Sequence, residues 1–235
     1  MRVMAIGAHP DDIEILAAGT LACYRLDGHA VAICVMTNGE LGAESGDRAA
    51  VAELRRQEAQ RSAEIIGATL YWLGEPDGFL FDTTPTRMAL LAAVRDFAPD
   101  ILLTHDPADY HPDHRTASLI ALNVRQLASA ELIETAEPVL NSAPPVLYMD
   151  PLALTGTAAE TWVDISATIE TKREMLRCHQ SQNAWMRRMH ELDYVDYVDK
   201  QAALRGLQCG VAFAEGFRDA RVFPVTANTT ALLPN

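Results

Sequence analysis

Four short apolar runs limit what this chain can fold into: VMAIGA (3–8), AVAICVM (30–36), TLYWL (69–73) and DILLTH (100–105). Each has the length of a buried strand, and each precedes a stretch with helical spacing. Asp12 opens an amphipathic helix with Ile13, Leu16, Leu21 and Leu26 on one side, closed by Gly28. A polar loop, TNGELGAESGD (37–47), leads from the second run to a helix with Asp47 as N-cap and Gly67 as stop. Thr84-Pro85 supplies the cap and first turn of a helix through Phe97, and a further helix covers about 114–130. This alternation predicts a doubly wound, mostly parallel α/β sheet of Rossmann-like type, with helices on both faces and strand order 3-2-1-4-5.

Beyond residue 140 the pattern loosens. PPVLYM (144–149) and TWVDI (161–165) read as strands, 167–178 as a helix, and GVAFAEGFR (210–218) as a final segment. HELDYVDYVDK (190–200) reads as a solvated helix face, or one packed on another subunit. A length of 235 residues suits a single domain, with a core over about 1–150 and a C-terminal extension over about 151–235.

Charge and cysteine usage narrow the class of function. A formal charge of −13 argues against nucleic acid and against an anionic membrane surface, both of which call for clustered Lys and Arg. No run approaches the roughly 18 apolar residues of a membrane span. The run after Met1-Arg2 gives way at His9, too early for a signal peptide. Cys23, Cys34, Cys178 and Cys209 show no C-x-x-C spacing, so a reducing cytoplasm is the expected setting.

The chemistry sits in two places. HDPADYHPDHRTA (105–117) places three histidines and three aspartates within its first ten positions, directly after the fourth strand. AHPDDIE (8–14) follows the first strand. In a doubly wound sheet, ligands bind outside the carboxyl ends of the strands where strand order reverses, and strands one and four are neighbours there. The topology therefore brings both stretches to one crevice. Histidine with carboxylate suits zinc, and the same donors accept ferrous iron or cobalt. His9 and Asp12 can face inward together, and the third ligand comes from His114 or His111. Asp11, beside Asp12, is placed to take a proton from water.

Together, AHPDDIE (8–14) and HPDH (111–114) resemble the LmbE-like, or PIG-L, family of metal-dependent deacetylases, which remove N-acetyl groups mostly from N-acetylglucosamine derivatives. TNGE (37–40), RRQEA (55–59), PDG (76–78) and HQSQ (179–182) agree with it. The resemblance implies His9, Asp12 and His114 as ligands of one zinc per chain. It also implies Asp11 as the base activating a metal-bound water, and His111 as the group that steadies the oxyanion or protonates the leaving amine. Asp113 would orient one of the histidines. Tyr110, just before His111, is a candidate for the oxyanion, and Arg55 and Asp77 for substrate contacts. The implied partner is a small N-acyl amine or amino sugar, and relatives assemble as trimers or hexamers.

Plainer roles stand beside these. Arg55 and Glu58 are spaced for a surface ion pair, Asp77-Gly78 is an ordinary turn, and His179 suits a structural histidine as well as a ligand-holding one. Competing functions are cleavage of a non-sugar N-acyl metabolite or thiol conjugate, a silent metal-binding protein, and a nucleotide-binding module. Against the last, the first strand–helix turn reads GAHPDD and lacks G-x-G-x-x-G.

Overall fold

The computed structural model describes residues 1–43, 45–152, 154, 158–223, 233 and 234. Residue 44 of the 37–47 loop lies outside that set. Four β-α pairs come first: β1 (Arg2–Gly7), β2 (Ala30–Thr37), β3 (Thr69–Glu75) and β4 (Ile101–Thr104), each followed by helix. The helices are α1 (Asp12–Leu16) and α2 (Ala18–Leu26), then α3 (Arg48–Ile65), α4 (Thr84–Phe97) and α5 (Pro112–Leu127). Then come β5 (Val146–Met149), β6 (Thr161–Asp164), α6 (Ile169–Arg177), α7 (Gln180–His190), α8 (Tyr194–Cys209) and β7 (Ala214–Asp219).

The sheet runs β3-β2-β1-β4-β5-β7-β6, so the expected 3-2-1-4-5 core is extended by two strands. β1 to β5 are parallel, whereas β7 runs antiparallel to both β5 and β6. Alternation along each strand splits the core in two, as the pleat requires. Val3, Ala5, Ile33 and Leu103 pack under α1, α2, α6 and α8, while Met4, Ile6, Cys34 and Leu102 face α4 and α5. Asp47 caps α3 as read from the sequence, but the cap of α4 is Thr83, whose side chain accepts from Thr86 N.

The helix expected to run from Asp12 to Leu26 is broken. Ala17 leaves helical geometry at φ −146°, ψ 1°, dividing α1 from α2. The backbone groups freed there find partners from far along the chain. Glu215 accepts from Gly19 N at 3.0 Å and Thr20 N at 2.8 Å, and Lys172 Nζ donates to Ile15 O at 2.7 Å and to Glu215 itself. An anion at the fresh N-terminus and a cation at the carbonyl end match the polarity of the two helices.

Candidate active site

The register Val3↔Ile101 through Ile6↔Thr104 sets β1 and β4 level, so the turns after them open side by side where strand order reverses. From the first turn come His9, Asp11 and Asp12; from the second come His105, Asp109, His111, Asp113 and His114. Of these, His9, Asp11, Asp12, His111 and His114 line a cleft of about 390 Å³ whose wall also includes Tyr110, Trp185, Met186, His190 and Tyr194, while His105, Asp109 and Asp113 stand behind it.

On its wall three side chains converge. His9 Nδ1 is 3.2 Å from His114 Nε2 and 3.4 Å from Asp12 Oδ2, and His114 Nε2 is 3.3 Å from Asp12 Oδ1. A tetrahedral zinc with bonds of about 2.0–2.1 Å separates its ligand atoms by about 3.3 Å, so the spacing fits such an ion. His105 offers an alternative donor beside Asp12 and His114, and His111 one beside His9 and His114.

Behind each of the two central histidines stands a carboxylate. His114 Nδ1 is 3.1 Å from Asp109 Oδ2, and His9 Nε2 is 3.2 Å from Asp113 Oδ2 and 3.3 Å from Asp77 Oδ1. Such partners fix which ring nitrogen faces inward. The acids are held in turn: Asp113 accepts from Gly78 N at 2.8 Å and Leu80 N at 3.3 Å, and Asp77 from Leu41 N at 3.1 Å. Asp77-Gly78 is thus more than a turn pair, since the carboxylate ties two loops to His9.

His105 is fully buried, with Nε2 3.0 Å from Asp12 Oδ2 and its ring stacked on His114 at 3.9 Å between centroids. Burial, with the His114 charge beside it, pushes His105 down to about 4, so it stays neutral. Burial also works to raise Asp12, but His114, His105 and His9 outweigh it and hold that carboxyl well below the usual range.

Asp11 sits at φ 119°, ψ −21°, a left-handed conformation that costs a non-glycine residue about 1–3 kcal/mol. Although it stands at the N-cap position of α1, its side chain makes no capping hydrogen bond. Instead Oδ2 accepts from Tyr194 Oη at 2.9 Å and lies 3.4 Å from Arg55 Nη2. Burial pushes Asp11 up to about 6, against the pull of Arg55.

His111 caps α5, its Nδ1 accepting from Asp113 N at 3.2 Å. A neutral ring accepting at Nδ1 carries its proton on Nε2, and the residue lines the cleft. Its ring centroid is 4.7 Å from those of both His9 and His114.

Two sequence expectations need correction. Arg55 and Glu58 form no surface pair: both are buried. Arg55 donates to Pro10 O at 2.5 Å and Gly39 O at 3.1 Å, and Glu58 accepts from Ser181 N and Oγ of α7. The stretch 190–200 is not merely a solvated face, because Tyr194 and Val198 are buried and Tyr194 reaches Asp11. His179 is buried, with Nε2 3.1 Å from Glu14 Oε1. Sequence reading did not single out Asp109 or Tyr194, and only Asp109 carried a signal, its place inside the histidine cluster.

A doubly wound α/β protein with a histidine–carboxylate cluster at the strand-order reversal is the class this fold and site define. The family model of the GlcNAc-PI de-N-acetylases, PIG-L, matches residues 4–125, and the chain belongs to that family. It is 29% identical over 232 residues to the diacetylchitobiose deacetylase of Thermococcus kodakarensis, covering 92% of this chain and 82% of the relative. It is 27% identical over 247 residues to the 4-oxalmesaconate hydratase of Pseudomonas putida, covering 96% and 91%. Among solved structures, the N,N'-diacetylchitobiose deacetylase of Pyrococcus horikoshii superposes with a TM-score of 0.82 at 26% identity, covering 99% of this chain and 88% of that one.

Proposed function

We propose that the protein is a metal-dependent N-deacetylase of amino sugar derivatives, converting an N-acetyl amine and water to acetate and a free amine. The observation that carries this reading is the convergence of His9, Asp12 and His114 with Asp11 on the wall of the same cleft. His9, Asp12 and His114 would hold one zinc, or ferrous iron or cobalt, and a divalent ion there supplies Lewis acidity at the acyl carbonyl. Asp11 takes the proton of the attacking water, for which a carboxyl raised toward 6 is suited. His111 Nε2 donates a hydrogen bond to the oxygen that gains negative charge, and the proton taken up by Asp11 passes to the leaving nitrogen. Asp113 and Asp109 keep His9 and His114 aimed.

The cleft walls fit the substrate class. Tyr110, Trp185, Leu41 and Leu152 offer aromatic and apolar faces to the C–H side of a sugar ring, with Arg55 and Asp77 near its hydroxyls. A trimer or hexamer is the assembly that the family resemblance implies, and free cysteines suit a reducing cytoplasm. Among the described residues no helix is long and apolar enough to cross a membrane.

The hydratase relative supports a second reading, addition of water to an unsaturated carboxylate. Charge favours the first. Arg55 is the one arginine or lysine among the described residues lining the cleft and is committed to Pro10 O and Gly39 O, so the carboxylates of a polyanionic substrate beyond the one at the metal would lack a cationic partner. Metal analysis followed by acetate release from N-acetylglucosamine, its oligomers and other N-acetyl amines, with and without chelator, tests the proposal. Chelator-sensitive acetate release is expected. Hydration of an unsaturated dicarboxylate with no acetate from any amide would overturn it.

A further inference from the structure

Tyr194 lies well beyond the family-matched residues 4–125, yet its hydroxyl reaches across 183 positions of sequence to Asp11. The turn that delivers it is fixed at both ends. Asp193 caps α8 by accepting from Val195 N and Asp196 N, and Asn183 Oδ1 of α7 accepts from Tyr194 N at 3.2 Å. The first residue of α8 is thereby aimed into the cleft, with its ring buried.

Asp11 needs such a hold. A glycine would occupy its left-handed backbone without strain, so the strained residue is kept for its carboxylate. That carboxylate makes no bond to the helix it precedes. The Arg55 guanidinium, itself pinned by Pro10 O and Gly39 O, lies 3.4 Å from Oδ2 and attracts it. The Tyr194 hydroxyl, 2.9 Å from the same oxygen, opposes a free swing toward Arg55. With both interactions on Oδ2, Oδ1 is the atom left to face the cleft that Asp11 lines.

We propose that Tyr194 is a positioning residue for Asp11, holding Oδ2 so that Oδ1 meets the water to be deprotonated. The proposal rests on the reading of Asp11 as the base. It makes the aim of that base depend on the docking of the α7–α8 hairpin.

Tyr194→Phe removes the hydroxyl and keeps the ring. The expected result is kcat lowered about 10- to 100-fold with KM within about twofold, since a misaimed base affects the transition state and not substrate binding. Metal content should match the wild type, and the melting temperature should fall by only a few degrees. A crystal structure of the variant should show the Asp11 carboxylate turned toward Arg55. Should this variant not fold, Asn183→Ala loosens the same turn without touching the ring and should lower kcat in the same direction by less. An Asp11 that keeps its orientation, or an unchanged kcat, overturns the proposal. Inactivity of the wild type on every N-acetyl amine overturns the deacetylase reading instead, and the orientation of Asp11 then decides the role of Tyr194 by itself.

Discussion

His179 Nε2 stands 3.1 Å from Glu14 Oε1, and neither side chain reaches solvent. The pair fastens the segment before α7 to α1, and Ser62 of α3 donates to the same Glu14 oxygen at 2.5 Å. Glu14 is two residues beyond Asp12, so the hairpin roofing the cleft and the helix bearing a proposed ligand share one anchor.

The anchor should make stability depend on pH in a defined direction. Burial tends to lower His179, but Glu14 outweighs it and leaves His179 above 6.5. Burial tends to raise Glu14, but His179 outweighs it and leaves Glu14 below 4.5. A raised histidine contributes fully below its unfolded value near 6.5 and loses the contribution as pH climbs through its folded value. The lowered carboxylate contributes above 4.5 and loses it as pH falls through its folded value. His179→Gln should therefore cost about 3–5 kcal/mol at a pH between 4.5 and 6.5, with a smaller difference at a pH above the folded value of His179. Urea unfolding of both proteins at the two pH values checks this, and a difference that grows with pH would refute it.

Asp11→Asn should bind metal at the wild-type ratio and lower kcat by about 10²- to 10⁴-fold, the usual worth of a positioned base. His114→Ala should instead lose metal. Metal analysis and turnover measured on one preparation separate the two roles, and near-normal turnover by Asp11→Asn would remove the base assignment.

Asp109→Ala should weaken metal affinity about 10- to 100-fold, because its carboxylate lies 3.1 Å from the outer nitrogen of His114. Competition against a chromophoric chelator measures this directly. An affinity equal to the wild type would mean that His114 holds its orientation through its stacking on His105 and His111.

Lys172→Met should cost about 3–5 kcal/mol, since it strands the buried Glu215 carboxylate without its cation. Lys172→Met combined with Glu215→Gln should recover part of that loss, because no uncompensated charge remains while the amide oxygen still accepts from Gly19 N or Thr20 N. Guanidinium unfolding of the three proteins checks the order, and a double variant weaker than the single one would contradict it.

The sequence made the parallel core and the place of the site legible because both rest on local signals. Four apolar runs with helical stretches between them define the strands, and two dense motifs at strand ends define the cleft. The break at Ala17 had no such signal. The residues 12–26 keep helical spacing throughout, and what divides them is Glu215, 195 positions from Thr20. Tyr194 was hidden for the same reason, since its neighbours Asp193, Asp196 and Asp199 read as solvated surface. The reversal of β7 against β5 was likewise beyond local pattern, because the direction of a short strand is set by what it pairs with.

The seam between α1 and α2 also orders events during synthesis. A ribosome makes β1, both ligand-bearing turns and the parallel sheet well before it reaches Lys172, Tyr194 and Glu215. Until those residues emerge, the amides of Gly19 and Thr20 and the carbonyl of Ile15 have only water, and Asp11 lacks its hydroxyl partner. The nascent half-protein thus carries its histidines before the residues that close the seam between α1 and α2 and hold Asp11 have been made.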